Sequence, residues 1–139
     1  MINFFKEGVA IDMDESHYAS WISEVIMSED KTEGEINYIF CADEYLLKIN
    51  QEYLSHDTYT DIISFDNSIG NELHGDIFIS VERVYENAYD FGATNEEELK
   101  RVMAHGILHF CGYKDKTNEE SKQMRLKENE KIEMFHVER

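Results

Sequence analysis

Two histidines lie four residues apart in an apolar segment, within the sequence His105-Gly-Ile-Leu-His109. On a helix, this spacing places both imidazoles on one face, with their Cβ atoms roughly 5–6 Å apart. Gly112 follows as a residue suited to the turn at a helix end, and the chain can then bring Asp115 back toward the histidines. Two imidazoles and one carboxylate leave a coordination position open, which is typical of a catalytic metal site.

An alternative interpretation is that the two histidines are a chance pair on a solvated helix face. The residues around them are mostly apolar, so the helix is expected to be buried on most sides: Val102, Met103, Ala104, Ile107, Leu108, Phe110 and Cys111. A buried polar group without a partner costs about 1–3 kcal/mol. The pair therefore requires a metal ion or hydrogen-bond partners, and the spacing alone leaves both possibilities open.

Length and composition predict one globular domain over residues 1–139. The chain is long enough for a real core, and 42% of its residues are hydrophobic. No apolar stretch is long enough to span a bilayer, and the N-terminus lacks a signal-peptide core, so we expect a cytoplasmic protein without a membrane partner. Cys41 and Cys111 are far apart in the sequence, which favours reduced thiols over a disulfide.

The formal net charge of −17 argues against broad, non-specific binding to nucleic acid, and against DNA as a partner. Such binding depends on neutralising phosphates with basic side chains. A local site for RNA is still compatible with this charge, because a bound dication can be the largest charge in a cleft.

Hydrophobic periodicity predicts the order β-α-β-α-β-β-α-α-α. The predicted strands cover residues 2–5 with 9–11, 35–41, 61–66 and 76–80, and the predicted helices cover 14–29, 42–53, 81–91, 95–111 and 118–135. Strands separated by helices favour parallel pairing, and the adjacent strands favour one antiparallel pair. We therefore expect an α/β (α+β) fold: a small, mostly parallel mixed sheet of about four strands, packed by about five helices.

Polar residues at helix starts support these boundaries. Capping boxes occur at residues 94–97 and 117–120, and Asp43 and Ser80 are predicted caps for their helices. The last helix is dense in charge, which we expect to form a solvated face. It is expected to dock through its few apolar residues, Met124, Ile132 and Phe135.

Four segments resemble a known family. Residues 105–113, HGILHFCGY, resemble the H-G-x-L-H-x-x-G-Y signature of the YbeY family of bacterial rRNA maturation endoribonucleases. Residues 60–65, TDIISF, are similar to its T-D-V-L-S-F strand, and residues 75–80, GDIFIS, to its G-D-I-x-I-S strand. Asn50 to Tyr53 fall where the family has L-N-x-x-Y. The matches occur in order and cover most of the chain from residue 50 to 115.

The resemblance implies a metal-dependent, single-strand-specific endoribonuclease that acts in 16S rRNA 3′-end maturation and ribosome quality control. Its implied partners are single-stranded RNA, the small ribosomal subunit and ribosome assembly factors. The implied cofactor is one zinc ion, or another divalent transition metal such as nickel. The family holds its metal with three histidines, which fall on His105, His109 and Asp115; aspartate is a competent ligand for zinc.

The resemblance also implies which other residues act in catalysis. The family has a catalytic arginine after the tyrosine of L-N-x-x-Y, where this chain has Leu54. His56, two residues later, is either the nearest candidate for a substitute or an ordinary loop histidine. His105, Asp61 and Ser64 complete the predicted catalytic set, with Asp61 and Ser64 either supporting a ligand or only ending a strand.

Two further functions are considered. A metalloprotease of the H-E-x-x-H type would need a glutamate as general base where this chain has Gly106. A non-catalytic ribosome assembly factor, stabilised by its metal, is favoured by Leu54 and by the net charge. Lys114 and Lys116 flank Asp115, either as contacts to RNA phosphates or as ordinary exposed lysines.

Overall fold

The structure is a computed structural model that describes residues 1–56 and 58–135. Within these residues the elements are β1 (Ile2–Glu7), α1 (Glu15–Ser28), β2 (Thr32–Cys41), α2 (Asp43–Leu54), β3 (Ile62–Asp66), β4 (Glu72–Ser80), α3 (Val81–Phe91), α4 (Asn95–Phe110) and α5 (Asn118–Phe135). The predicted order of strands and helices is confirmed.

The strands form one mixed sheet in the order β1-β2-β4-β3. β1, β2 and β4 are parallel, because the connections between them cross over through helices. β3 runs antiparallel to β4, with Ile62 opposite Ile79 and Asp66 opposite Gly75. The predicted fold class is confirmed: a small, mostly parallel mixed sheet with one antiparallel strand and five helices.

β2 and β4 begin several residues before the predicted boundaries. The N–H of Thr32 donates to the carbonyl of Asn71 at 2.9 Å, so the two strands already face each other there. In the first part of β4, Leu73 is buried while Glu72 is exposed. One buried residue among polar neighbours has the composition of a loop, which is why the sequence did not indicate a strand.

Two local predictions are wrong. Residues 9–11 are not part of a strand, because β1 ends before Gly8, whose φ of +70° turns the chain away from the sheet. Asp43 does not cap α2; the capping position is Ala42, which makes no side-chain cap. The Asp43 carboxylate instead accepts a hydrogen bond from Arg83 Nη2 at 2.7 Å, because this cation lies within reach on α3.

The other predicted caps are confirmed. Ser80 accepts a hydrogen bond from the backbone of the third residue of α3 at 3.1 Å. Thr94 and Glu97 form a reciprocal capping box at the start of α4. Thr117 and Glu120 make the same pair of hydrogen bonds at 3.1 and 3.0 Å before α5.

α4 packs in the main core, against the sheet and the other helices. Its buried residues include Val102, Met103, Ala104 and Ile107. α5 is tied to α1 by a hydrogen bond from Trp21 Nε1 to the carbonyl of Lys131, at 2.7 Å. The expectation that the charges of α5 form a solvated face is wrong for Lys131, whose side chain is 1% exposed.

Two further observations concern the described helices and the two cysteines. None of these helices is both long and apolar enough to cross a membrane. The two cysteines are not bonded to each other; Cys41 is buried and Cys111 is half-buried.

Gly75 lies so close to neighbouring atoms that there is no room for a side chain at this position. A Cβ at this position would overlap the carbonyl oxygen of Phe65 on β3 and the ring of Phe110 on α4. We predict that Gly75→Ala lowers the free energy of unfolding by about 3 kcal/mol, measured by urea denaturation.

Gly70→Ala is the matched control, because Gly70 has φ of +58° but open space around its Cβ position. The strain of its left-handed backbone should cost only about 1 kcal/mol. Equal losses in the two variants would contradict the steric explanation.

Candidate metal centre

α4 holds the two histidines at a fixed separation. The capping box at Thr94 fixes the start of the helix, and the apolar face of α4 fixes its rotation against the sheet. His105 and His109 therefore lie one turn apart, with their ring centroids separated by 4.5 Å. Their Nε2 atoms face each other at 2.9 Å.

The chain turns directly after α4 and brings a carboxylate to the same point. Gly112 has φ of +105°, a backbone conformation that residues other than glycine rarely adopt. Asp115 Oδ2 lies 3.2 Å from Nε2 of His105 and 3.5 Å from Nε2 of His109. The predicted cluster of His105, His109 and Asp115 is therefore assembled in the fold, and it is a group that could hold a metal ion.

Each imidazole is held at its other nitrogen by an acceptor. Nδ1 of His105 lies 2.7 Å from Oε2 of Glu128, and Nδ1 of His109 lies 2.9 Å from the carbonyl of Tyr113. A carbonyl and an ionised carboxylate only accept hydrogen bonds, so each ring carries its proton on Nδ1. The Nε2 atoms then point at each other and at Asp115.

This arrangement fits a cation. Two nitrogen lone pairs facing each other beside a carboxylate repel unless positive charge compensates them. Imidazole nitrogen and carboxylate oxygen are donors that zinc accepts, and an acceptor behind each imidazole is usual in metal sites. In the metal-free site, a proton on an Nε2 atom supplies the compensating positive charge. Burial alone would lower the pKa of His105, but its hydrogen bond to Glu128 and the charge of that carboxylate outweigh this effect, and the pKa is raised.

Glu128 is a site residue that sequence reasoning missed. Its side chain is 6% exposed, although we expected the charges of α5 to be solvated. Burial alone would raise the pKa of Glu128, but hydrogen bonds from His105 and Arg101 outweigh this and hold the pKa below its usual value. Arg101 Nη1 lies 3.0 Å from the second carboxylate oxygen, and its Nη2 donates to Asn129.

A signal for Glu128 was present in the sequence. Met124, Glu128 and Lys131 recur at intervals of four and three residues, and all three are the buried residues of α5. This spacing marks one helix face. A charged residue on the helix face that carries the apolar Met124 indicates a buried charge with a partner elsewhere in the fold.

The cluster lies in a cleft of about 480 Å³. The described residues that line it are Thr60, Asp61, Ile62, Ser64, Asn87, Phe91, Glu98, Arg101, Val102, His105, His109, Asp115, Arg125 and Glu128. Asp61 and Ser64 are therefore brought to the cluster from β3 and the segment before it. Burial raises the pKa of Asp61, partly offset by His105, and burial together with the charge of Asp61 raises the pKa of Glu98.

Other predicted residues lie outside the lining of this cleft. Leu54 and His56 are both exposed, at the end of α2 and just after it. Lys114 and Lys116 are exposed on either side of Asp115, and neither lines the cleft. The catalytic role of His56 and the RNA contacts of the two lysines stay predictions.

Fold and site together define an α/β protein whose cleft carries a His/His/Asp cluster able to hold a metal ion. A family model described as Endoribonuclease YbeY matches residues 3–136. The chain therefore belongs to the YbeY endoribonuclease family, as its four motifs predicted. Membership in a family of endoribonucleases makes RNA the expected class of substrate.

Curated relatives and a solved structure agree with this assignment. Proteins named Endoribonuclease YbeY from Flavobacterium johnsoniae and Flavobacterium psychrophilum are each 64% identical, over 99% of this chain and 99% and 98% of their own length. The same name is given to a protein from Christiangramia forsetii with 62% identity, over 99% of this chain and 96% of its length. The solution structure of a Thermotoga maritima protein has a TM-score of 0.73 at 28% identity, covering 99% of this chain and 91% of that one.

Glu128→Gln preserves side-chain shape but removes the charge that faces His105 and Arg101. An amide offers one acceptor oxygen for these two donors, so one of them loses its partner. We predict a loss of about 1–3 kcal/mol in the free energy of unfolding of the metal-free protein, measured by urea denaturation. Glu133→Gln, at an exposed position of the same helix, should change it by less than about 0.5 kcal/mol. Equal effects would contradict the assigned role of Glu128.

Proposed function

We propose that this protein is a metal-dependent, single-strand-specific endoribonuclease that acts in 16S rRNA 3′-end maturation and ribosome quality control. The cluster of His105, His109 and Asp115 in an open cleft carries the proposal. Three protein ligands leave a coordination position for a substrate or water, as catalytic zinc sites do. Family membership supports RNA as the substrate.

The metal is proposed to be one zinc ion, with nickel or another divalent transition metal as a substitute. Nitrogen and oxygen donors of this kind suit several such ions, and one carboxylate makes the set harder than three imidazoles. When bound, the ion supplies Lewis acidity toward a phosphodiester group. Glu128 and the Tyr113 carbonyl keep the two imidazoles in the orientation that binding requires.

The charge of the cleft supports a role for that cation in RNA binding. Its described lining includes four carboxyl groups, from Asp61, Glu98, Asp115 and Glu128, but two guanidinium groups, from Arg101 and Arg125. Arg101 is already paired with Glu128 at 3.0 Å. A phosphodiester entering this cleft is repelled unless a dication compensates the carboxylates.

Asp61 is the proposed proton-transfer residue, and Ser64 a hydrogen-bonding residue beside it. Both line the cleft with His105, and burial raises the pKa of Asp61. A raised pKa allows a carboxyl group to accept and return a proton closer to neutral pH. His105 serves as a ligand, and its Nδ1 proton is held by Glu128.

The proposed setting is the cytoplasm, where the small ribosomal subunit and its assembly factors are the partners. The partners are those that the family resemblance implies.

A second candidate function is a non-catalytic assembly factor that retains the metal for stability. Leu54 lies exposed at the end of α2, at the position of the family arginine, and it offers no charge to a phosphate. The net charge of −17 also disfavours RNA binding.

A peptidase of the H-E-x-x-H type is disfavoured by packing as well as by sequence. A Cβ at Gly106 would lie 3.0 Å from Cδ1 of Ile77 and 3.2 Å from Cδ1 of Ile62. The position that would carry the general base therefore has little room for any side chain.

Removing one ligand should abolish both metal binding and cleavage. We predict that wild-type protein holds about one zinc-like ion per chain. Substitution of a residue that only hydrogen-bonds to a ligand costs roughly 10- to 100-fold in metal affinity. His109→Ala and Asp115→Ala should lose more than this, because each removes a ligand. Metal content is measured by elemental analysis, and cleavage on a single-stranded RNA. His74→Ala, whose ring pairs with Glu72 outside the cleft, is the control and should retain both.

The alternatives give different results in the same experiment. A metal-bound wild type that cuts no RNA would favour the assembly factor over the ribonuclease. Absence of metal from wild type, together with full cleavage by the ligand variants, would contradict the proposed site.

Asp61→Asn should separate proton transfer from metal binding. We predict that the variant retains its metal but loses about 100- to 10,000-fold in cleavage rate, because an amide cannot exchange the proton. Single-turnover cleavage and metal content are measured together. An unchanged rate would remove Asp61 from the catalytic set, and parallel losses of metal and rate would make it a supporting residue of the ligands.

A further inference from the structure

A second polar cluster lies behind the metal centre, where α1, α5 and the turn after α4 meet. Lys131 Nζ lies 2.7 Å from Oε2 of Glu29, and their side chains are 1% and 10% exposed. Lys127 lies 3.3 Å from the same oxygen. The hydroxyl of Tyr113 donates to the other oxygen, Oε1 of Glu29, at 2.7 Å.

The carboxylate at the centre of this cluster is held as an anion. Burial alone would raise the pKa of Glu29, but the hydrogen bonds from Lys131, Tyr113 and Lys127 outweigh it and hold the pKa below its usual value. Lys131 Nζ also donates to Ser28 Oγ at 2.9 Å. A hydrogen bond to an ionised acceptor is stronger than one between neutral groups, so the Tyr113 hydroxyl is firmly fixed.

Tyr113 connects this cluster to the metal centre, because its hydroxyl contacts Glu29 and its backbone contacts His109. Its backbone carbonyl accepts the hydrogen bond from Nδ1 of His109 at 2.9 Å. Its own N–H donates to the carbonyl of Leu108 at 3.1 Å, which closes the turn onto α4. Asp115 follows two residues later in the chain.

We infer that Tyr113 is a positioning residue: its hydroxyl, anchored on Glu29, holds the backbone that orients His109 and delivers Asp115 to the same point. The inference rests on the proposed function, since the geometry it preserves is that of the metal ligands. Glu29 belongs to the end of α1, so a helix outside the cleft contributes to metal affinity. Groups behind a ligand contribute by fixing its orientation before the metal arrives.

Tyr113→Phe tests the inference, because it removes the hydroxyl and leaves the ring and the backbone carbonyl in place. We expect the affinity for Zn²⁺, measured by competition with a chromophoric chelator, to fall about tenfold. In the metal-free protein, the ¹⁵N signals of the His109 imidazole should shift toward a mixture of tautomers.

Tyr59→Phe is the matched control. The Tyr59 hydroxyl also donates to a glutamate, Oε1 of Glu44 at 2.6 Å, but at an exposed position outside the cleft lining. This variant should leave zinc affinity and the His109 signals unchanged.

The outcomes separate this inference from the proposed function. Unchanged zinc affinity and His109 signals in Tyr113→Phe overturn the inference, even if its free energy of unfolding falls, because that fall alone shows only a structural role. If wild type binds no zinc, the proposed function fails, and the His109 signals of the metal-free proteins decide whether the hydroxyl orients the ring.

Discussion

The hydrogen bond between Glu128 and His105 is the constraint on which the site depends. A carboxylate buried on α5 requires a donor, and a half-buried histidine on α4 requires an acceptor. Their pairing fixes the proton on Nδ1 and turns Nε2 toward the cleft. Arg101 Nη1 pairs with the other oxygen of the same carboxylate at 3.0 Å. α5 must therefore pack in one position for the carboxylate, the imidazole and the guanidinium group all to be satisfied.

His109 is also oriented by a hydrogen-bond acceptor at its Nδ1 atom, but this acceptor is a backbone carbonyl and not a carboxylate. A backbone carbonyl accepts from His109, and the residue that provides it is anchored by the ion pair of Glu29 and Lys131. Both lysine and glutamate carry charges that are costly to bury alone, so each depends on the other. Buried charge on α5 thus supports both imidazoles, once directly through Glu128 and once through Lys131 and the turn after α4.

The acidic composition of the chain has a specific electrostatic consequence at the cleft. A surface with a net charge of −17 repels polyanions in general. A cleft lined by more carboxyl than guanidinium groups repels a phosphodiester unless a cation compensates the carboxylates. The proposed function therefore couples binding of RNA to binding of the ion.

The sequence by itself determined the order of elements, the mixed sheet, most helix caps and the His/His/Asp cluster. These features follow from short-range spacing: His105 and His109 share a helix face, and Gly112 permits the turn that brings Asp115 back. Only the tertiary structure decided which residues pair with Glu128 and Lys131, and that Asp43 pairs with Arg83 instead of capping α2. Burial of a charge depends on a partner distant in the chain, and local spacing does not record which distant residue will supply it.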